Sequence, residues 1–244
     1  MSKKKEVFLQ RFSPFLPLLF LVVLGFLAFV IWPEMDLALS RLFTQEGQGF
    51  VLRDNLFLNG LEKTAFYGAR ELALLLLVGV FYLFVRKRLA ASKRWFFLLL
   101  CLLIGPGLFA NLVFKNHWGR ARPREIVAFG GEKEFTPAFF MSNSCDQNCS
   151  FVSGDSTFGF FLTSFAYVVT PRRRKFFFWS GFGAGCLFGG ARLLLGAHFV
   201  SDILGGAVLA LATSAALYAL FFGVRRTSIF WRQRLGLRSL VAPQ

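Results

Sequence analysis

Apolar residues along this chain fall into long runs broken by short charged clusters, and the runs have the length of bilayer crossings. About 20 predominantly apolar residues are enough for a helix to cross the hydrocarbon core. Such runs lie at about residues 12–32, 67–85, 95–114, 151–170, 176–195 and 199–222. The pattern predicts an all-α, polytopic membrane protein with six transmembrane helices. The first run follows Lys3, Lys4 and Lys5, has no small-residue cleavage site and ends in Ile31-Trp32-Pro33. It reads as a retained first helix with Trp32 at the interface. Beyond it, in 33–66, Met35, Leu39, Leu42 and Phe43 recur at helical spacing, which predicts a helix lying in the membrane interface. A second long polar segment, 115–150, is rich in Gly and Pro, whereas the fifth and sixth runs are joined by a few residues near Gly196. No internal repeat is visible, so residues 1–244 read as a single domain.

Composition strengthens this picture. The chain is 55% hydrophobic with 34 Phe among 244 residues, too apolar for an ordinary soluble domain. Its 28 Lys and Arg against 13 Asp and Glu give a net charge of +15. Many of these cations cluster at Lys3, Lys4, Lys5 and Arg11, at 86–94, at Arg172, Arg173, Arg174 and Lys175, and in the tail at Arg225, Arg226, Arg232, Arg234 and Arg238. Six crossings put all four clusters on one side, which the positive-inside rule makes cytoplasmic, with both termini. Clusters beside membrane helices also attract anionic lipid headgroups. They form no continuous stripe, which argues against nucleic acid as a partner. Cys101 and Cys186 fall inside apolar runs, while Cys145 and Cys149 share the polar loop. In an oxidising compartment the latter pair is a candidate disulfide closing a small loop; two free thiols are the alternative, and zinc is disfavoured by the lack of nearby His.

Candidate chemistry gathers on the opposite side. Arg192 ends an otherwise apolar run, where an ionisable side chain marks function by default, unless it snorkels to headgroups. His198 and Asp202 follow in ARLLLGAHFVSDILGG, one helical turn apart. A carboxylate there can take the proton on one imidazole nitrogen and leave the other as a nucleophile; a plain His–Asp cap is the bland alternative. Ser153-Gly154-Asp155 opens another run: Ser153 suits an N-cap and Gly154 admits a ligand to the backbone, so the helix start is a candidate anion site. In KNHWGRARP, Lys115 and Arg122 can surround an oxyanion, with Pro123 stiffening the exit. Three cations, a helix start and a His backed by Asp describe a phosphate pocket with a nucleophile beside it.

These motifs resemble those of the type 2 phosphatidic acid phosphatase (PAP2) superfamily of membrane lipid phosphatases. K-x6-RP is matched by Lys115, Arg122 and Pro123; S-R-x5-H-x3-D by Arg192, His198 and Asp202, with Ala191 for Ser; and PSGH by Ser153 and Gly154 alone, with Val152 for Pro and Asp155 for His. The resemblance implies a PAP2-like helical bundle and two-step phosphate hydrolysis without metal or cofactor. By carry-over, His198 forms a phosphohistidine, Asp202 orients it, and Lys115, Arg122, Arg192, Ser153 and the Gly154 amide bind the phosphate. In the family the histidine of PSGH helps to protonate the leaving oxygen. Here Asp155 takes its place, and His117 is the other candidate.

The CSFVSGD and GRARP stretches look most like the bacterial lipid A phosphatase branch, which acts on the periplasmic face of the inner membrane. The expected partners are therefore a phosphorylated membrane lipid and the bilayer. Prenyl pyrophosphate, phosphatidylglycerophosphate and phosphatidic acid stay open as substrates, and so does transfer of the phosphoryl group to another lipid. A reading of another class is a transporter or structural membrane protein with a degenerate site. Arg120 and Arg124 are left as binders of further anionic groups on a large headgroup, or of bilayer phosphates.

Overall fold

The structure is a computed structural model and describes residues 15–223. The N-terminal and tail basic clusters lie outside the described residues. The described residues are mostly helical within the apolar runs, and among them is one two-stranded hairpin. Helix α1 (Leu16–Ile31) ends at Trp32-Pro33 and turns by 97° into α2 (Glu34–Arg41); a proline at that point cannot supply the N–H that would continue α1. Strands β1 (Thr44–Gln45) and β2 (Gly49–Phe50) pair antiparallel, Thr44 opposite Phe50. Asn55 caps α3 (Leu56–Val85) by accepting from the Leu58 amide at 3.0 Å. At 30 residues, α3 is about 45 Å long. A second long rod, α4 (Leu89–His117), is π-helical over Leu103–Phe114, around Pro106. Proline removes a rung of the α ladder and clashes with the preceding turn, and the wider winding accommodates both.

The run at 151–170 is not one helix. It forms α5 (Gly154–Phe161), a 3-10 turn and the short α6 (Phe165–Val168) before α7 (Pro171–Leu194) and α8 (Val200–Tyr218). Helices α5 and α7 touch through glycine: a Cβ on Gly159 would stand 2.5 Å from the Gly185 Cα. Such close approach is how helices gain packing contact where lipid removes the hydrophobic incentive. The Phe160 ring also lies against Gly185, and buried Phe97, Phe161, Phe178 and Tyr218 fill more of the core.

Among the described residues three helices are long and apolar enough to cross a bilayer, α3, α4 and α8 with its extension to Phe222, and the bent α1–α2 pair makes a fourth. Exposed Leu75, Val78, Phe81 and Phe84 along α3 would be untenable in water and are at home against lipid. The expected helix after α1 exists, but its packed face is polar. Asp36 and Ser40 are fully buried, while Met35 and Leu42 are exposed. The basic segments at 86–94 and 172–175 lie at one end of the bundle. Lys115, the start of α5, the end of α7 and the start of α8 lie at the other.

Candidate active site

Five separate elements bring their ends to one cavity of about 940 Å³. Lys115 from the end of α4, Arg122 from the following loop, Gly154 and Asp155 from the first turn of α5, Arg192 from the last turn of α7 and Glu62 from α3 all line it. A Cβ at Gly154 would lie 2.8 Å from Asn111 Oδ1 and 3.2 Å from Lys115 Nζ, so glycine is what lets the ammonium approach the helix start. Arg122 donates from Nη2 to the Asn148 carbonyl at 2.8 Å. Arg192 is paired twice: Nη1 with Glu62, and Nε 3.1 Å from Asp155 Oδ2, a charge contact without hydrogen-bond alignment.

His198 and Asp202 are fully buried and are not part of this cavity's lining. His198 Nδ1 is 2.7 Å from the Ser150 carbonyl oxygen and 3.7 Å from Asp202 Oδ2. The expectation that Asp202 takes the imidazole proton is therefore corrected: a carbonyl is an obligate acceptor, so Nδ1 carries the hydrogen and gives it to Ser150. Nε2 keeps its lone pair and has no hydrogen-bond partner. Burial pushes the imidazole down to about 3 against the opposing pull of Asp202, and Arg192 and Arg122 add to the depression. These influences favour the neutral ring, with the charges of Arg192 and Arg122 nearby.

Asp202 acts through its neighbours. Oδ2 accepts from Ser150 Oγ at 2.5 Å and from the Phe199 amide at 2.8 Å, and Oδ1 accepts from Arg120 Nη1 at 2.5 Å. Arg120 is the second correction. It meets no headgroup, because it is completely buried between Asp36 and Asp202, with Nη2 2.9 Å from Asp36 Oδ2 and Nε 2.8 Å from the Thr136 carbonyl. Its guanidinium also lies 4.3 Å from the centroid of the Phe199 ring. Asp36 further accepts from the Ser201 amide at 3.0 Å, so α2 is tied directly to the start of α8.

Ser153 is the third correction. Its hydroxyl caps α5, accepting from the Ser156 amide at 3.5 Å, and is fully buried away from the cavity. The cap leaves the O–H free to donate, but the buried hydroxyl is not part of the cavity lining. His117 is exposed and does not line the cavity, which leaves Asp155 as the sequence-predicted acid facing it. Cys145 and Cys149 are bridged, with Cα atoms 5.7 Å apart. That bridge closes the loop holding Asn148, and the Cys149 and Ser150 amides donate to the carbonyls of Lys115 and Arg120 at 3.0 and 2.9 Å. Among the described residues no group of three or more His, Cys, Asp or Glu is placed to hold a metal ion.

Asp36, Glu62 and Ser150 are absent from the sequence-based set. Glu62 had a usable signal: Asn55 is a good N-cap, and a helix begun there carries an acid into the bundle shortly before the apolar run at 67–85. Ser150 acts through its backbone carbonyl, and no residue pattern reports that.

This chain belongs to the PAP2 superfamily, which it matches over residues 94–226. It is 35% identical over 198 residues to a lipid A 4'-phosphatase of Francisella tularensis subsp. novicida, covering 80% of this chain and 89% of that one. Proteins of the same name from Rhizobium leguminosarum and Rhizobium etli are 39% and 38% identical over 120 and 119 residues, about half of each chain. No solved structure matches it significantly. Family and relatives together support a membrane lipid phosphatase.

Proposed function

We propose that this protein is a bacterial inner-membrane phosphatase that removes a phosphate monoester from lipid A on the periplasmic side, through a phosphohistidine and without a metal ion. The observation that carries the reading is His198: a neutral imidazole with its Nδ1 hydrogen committed to Ser150, a partnerless Nε2, and Arg122 and Arg192 alongside. The charge distribution supports the orientation, because the basic segments at 86–94 and 172–175 lie at the bundle end opposite the site. Six crossings, with the broken 151–170 run and α7 as two of them, cytoplasmic termini and α2 in the outer interface complete the proposed topology.

In the first step Nε2 attacks phosphorus and the bond from phosphorus to the sugar oxygen breaks. Lys115, Arg122 and Arg192 hold the equatorial oxygens, where charge stabilisation is most of what a protein can contribute to phosphoryl transfer. The phosphate takes the place of Glu62 on Arg192, which opens the path to His198. The leaving oxygen receives a proton from Asp155, which is in its acid form in the substrate complex and ends the step as a carboxylate. In the second step Asp155, now a carboxylate, takes a proton from the water that attacks phosphorus, the P–N bond breaks, and inorganic phosphate leaves with His198 and Asp155 restored.

Purified protein in detergent is expected to release phosphate from lipid A with a chelator present. His198→Ala abolishes release, and a rapid quench traps acid-labile phosphate on the wild-type protein. Full activity in His198→Ala would remove the mechanism. Asp155→Asn is expected to slow turnover by about 10²-fold if the group is the acid; a loss below about threefold, under 1 kcal/mol of barrier, would make it structural. A phosphorylated second lipid in place of free phosphate would mark a transferase.

A further inference from the structure

A second polar cavity, of about 500 Å³, lies beside the first and is enclosed by the β1–β2 hairpin and the loop from Arg124 to Gly130. Arg41 from the end of α2, Arg53 after β2 and Arg124 line it, with Glu46 as its one carboxylate. The neighbouring cations are paired: Arg120 with Asp36 and Asp202, Arg192 with Glu62 and Asp155, and Lys133 with Glu125. Among the described residues the side chains of Arg41, Arg53, Arg124 and Glu46 form no ion pair or hydrogen bond. Arg124 is half-buried, and the like charges of Arg192 and Arg53 act on it more strongly than the carboxylates of Glu125 and Glu62. Converging unpaired guanidinium groups repel one another, and an anion between them relieves that repulsion and gains charge-assisted hydrogen bonds.

The cavity is also built rigidly onto the catalytic loop. The Arg124 amide donates to the Gly196 carbonyl at 3.0 Å, two residues before His198. Phe50 of the hairpin packs edge-on against Phe129 at 5.5 Å, and a Cβ on Gly196 would strike its ring at 2.4 Å. Arg122 and Arg124 flank Pro123, so one short turn sends one guanidinium into each cavity.

We propose that Arg41, Arg53 and Arg124 form a second anion subsite that takes a phosphate or carboxylate on the same headgroup as the phosphate being removed. The proposal rests on the lipid phosphatase reading and adds a specificity determinant to it: a headgroup with two anionic groups is gripped at both, and one with a single phosphate only at the catalytic cavity. Arg41 and Arg53 are exposed, so their replacement leaves the packed core untouched.

The test compares a glucosamine-disaccharide lipid bearing two phosphates with the same lipid bearing only the hydrolysable one. Equilibrium binding and phosphate release are measured for the full chain in neutral detergent, for Arg41→Gln/Arg53→Gln and for Arg124→Gln. The wild type is expected to bind the two-phosphate lipid about tenfold more tightly, with the difference appearing in KM, and both variants are expected to narrow that gap. Equal binding of the two lipids by the wild type, or an undiminished gap in both variants, would overturn the subsite. Phosphatidylglycerol or inorganic phosphate that erases the gap, and binds the wild type but not the variants, would assign the cavity to bilayer headgroups or free phosphate and overturn the shared-headgroup claim. Release of no phosphate from either lipid would count against the phosphatase reading, while the binding comparison still decides the subsite.

Discussion

Two clusters in this protein have the same composition, one arginine held between two carboxylates, and opposite environments. Behind His198, Arg120 is locked between Asp36 and Asp202 with every member fully buried. In front of it, Arg192 meets Glu62 and Asp155 at the wall of an open cavity, and Glu62 is 40% exposed. The closed cluster is saturated: Ser201, Ser150, Thr136 and the Phe199 amide use its remaining donors and acceptors. A saturated buried network has no capacity for a ligand, but it fixes where Ser150 and the start of α8 stand. The open cluster exchanges partners cheaply, because water screens and replaces what Glu62 gives up. One is sealed and the other stands open at a cavity wall, and burial alone separates them.

The largest effect that can break this comparison comes from the closed cluster. Arg120→Met leaves two carboxylates buried without a counter-charge and is expected to lower stability by about 3–5 kcal/mol, read as a fall in the thermal midpoint in detergent. An unchanged midpoint would deny the cluster its scaffold role. Next comes Arg192→Gln, which should melt close to the wild type while kcat/KM falls by about 10²–10³, as for loss of one donor to a developing oxyanion. If instead it unfolds as readily as Arg120→Met, the two clusters do the same job.

A smaller effect appears with pH. The His198 imidazole is depressed from 6.5 to about 3, so between those values the unfolded chain binds a proton that the folded ring refuses. Its stabilising contribution is complete above about pH 6.5 and is lost as pH falls toward 3. Denaturant titrations at pH 7 and 4.5 should show the decline, and His198→Asn should flatten it. Smallest is Glu62→Gln, which removes the anion competing for Arg192 and should lower KM about threefold at neutral pH, under 1 kcal/mol. A rise in KM would mean that Glu62 helps to hold the substrate.

Much of the catalytic face was legible in the chain. Lys115, Arg122, Asp155 and Arg192 are each conspicuous, because a charge beside a long apolar run has few structural reasons to be there, and the fold brings all four to one cavity. The supporting residues were not legible. Asp36 sits in a short amphipathic stretch where its apolar neighbours carry the periodic signal, yet it is the polar stripe that packs inward. Arg120 and Arg122 are two residues apart with the same side chain. One is sealed inside a salt-bridged core and the other lines the pocket, because an irregular loop sends alternate side chains in different directions.

The linear sequence determined the helical, membrane-adapted character of the molecule, the grouping of its basic residues between apolar runs and the motif that identifies its superfamily. These follow from local composition and spacing, which hydrocarbon and water read one segment at a time. Tertiary structure decided which acid serves which base: Ser150 rather than Asp202 on the imidazole, Asp36 on Arg120, and Glu62 on Arg192. Those pairings join residues from separate elements of the chain. Hydrogen bonds and ion pairs act over a few ångströms, so only the packed bundle selects among the many partners that the composition allows.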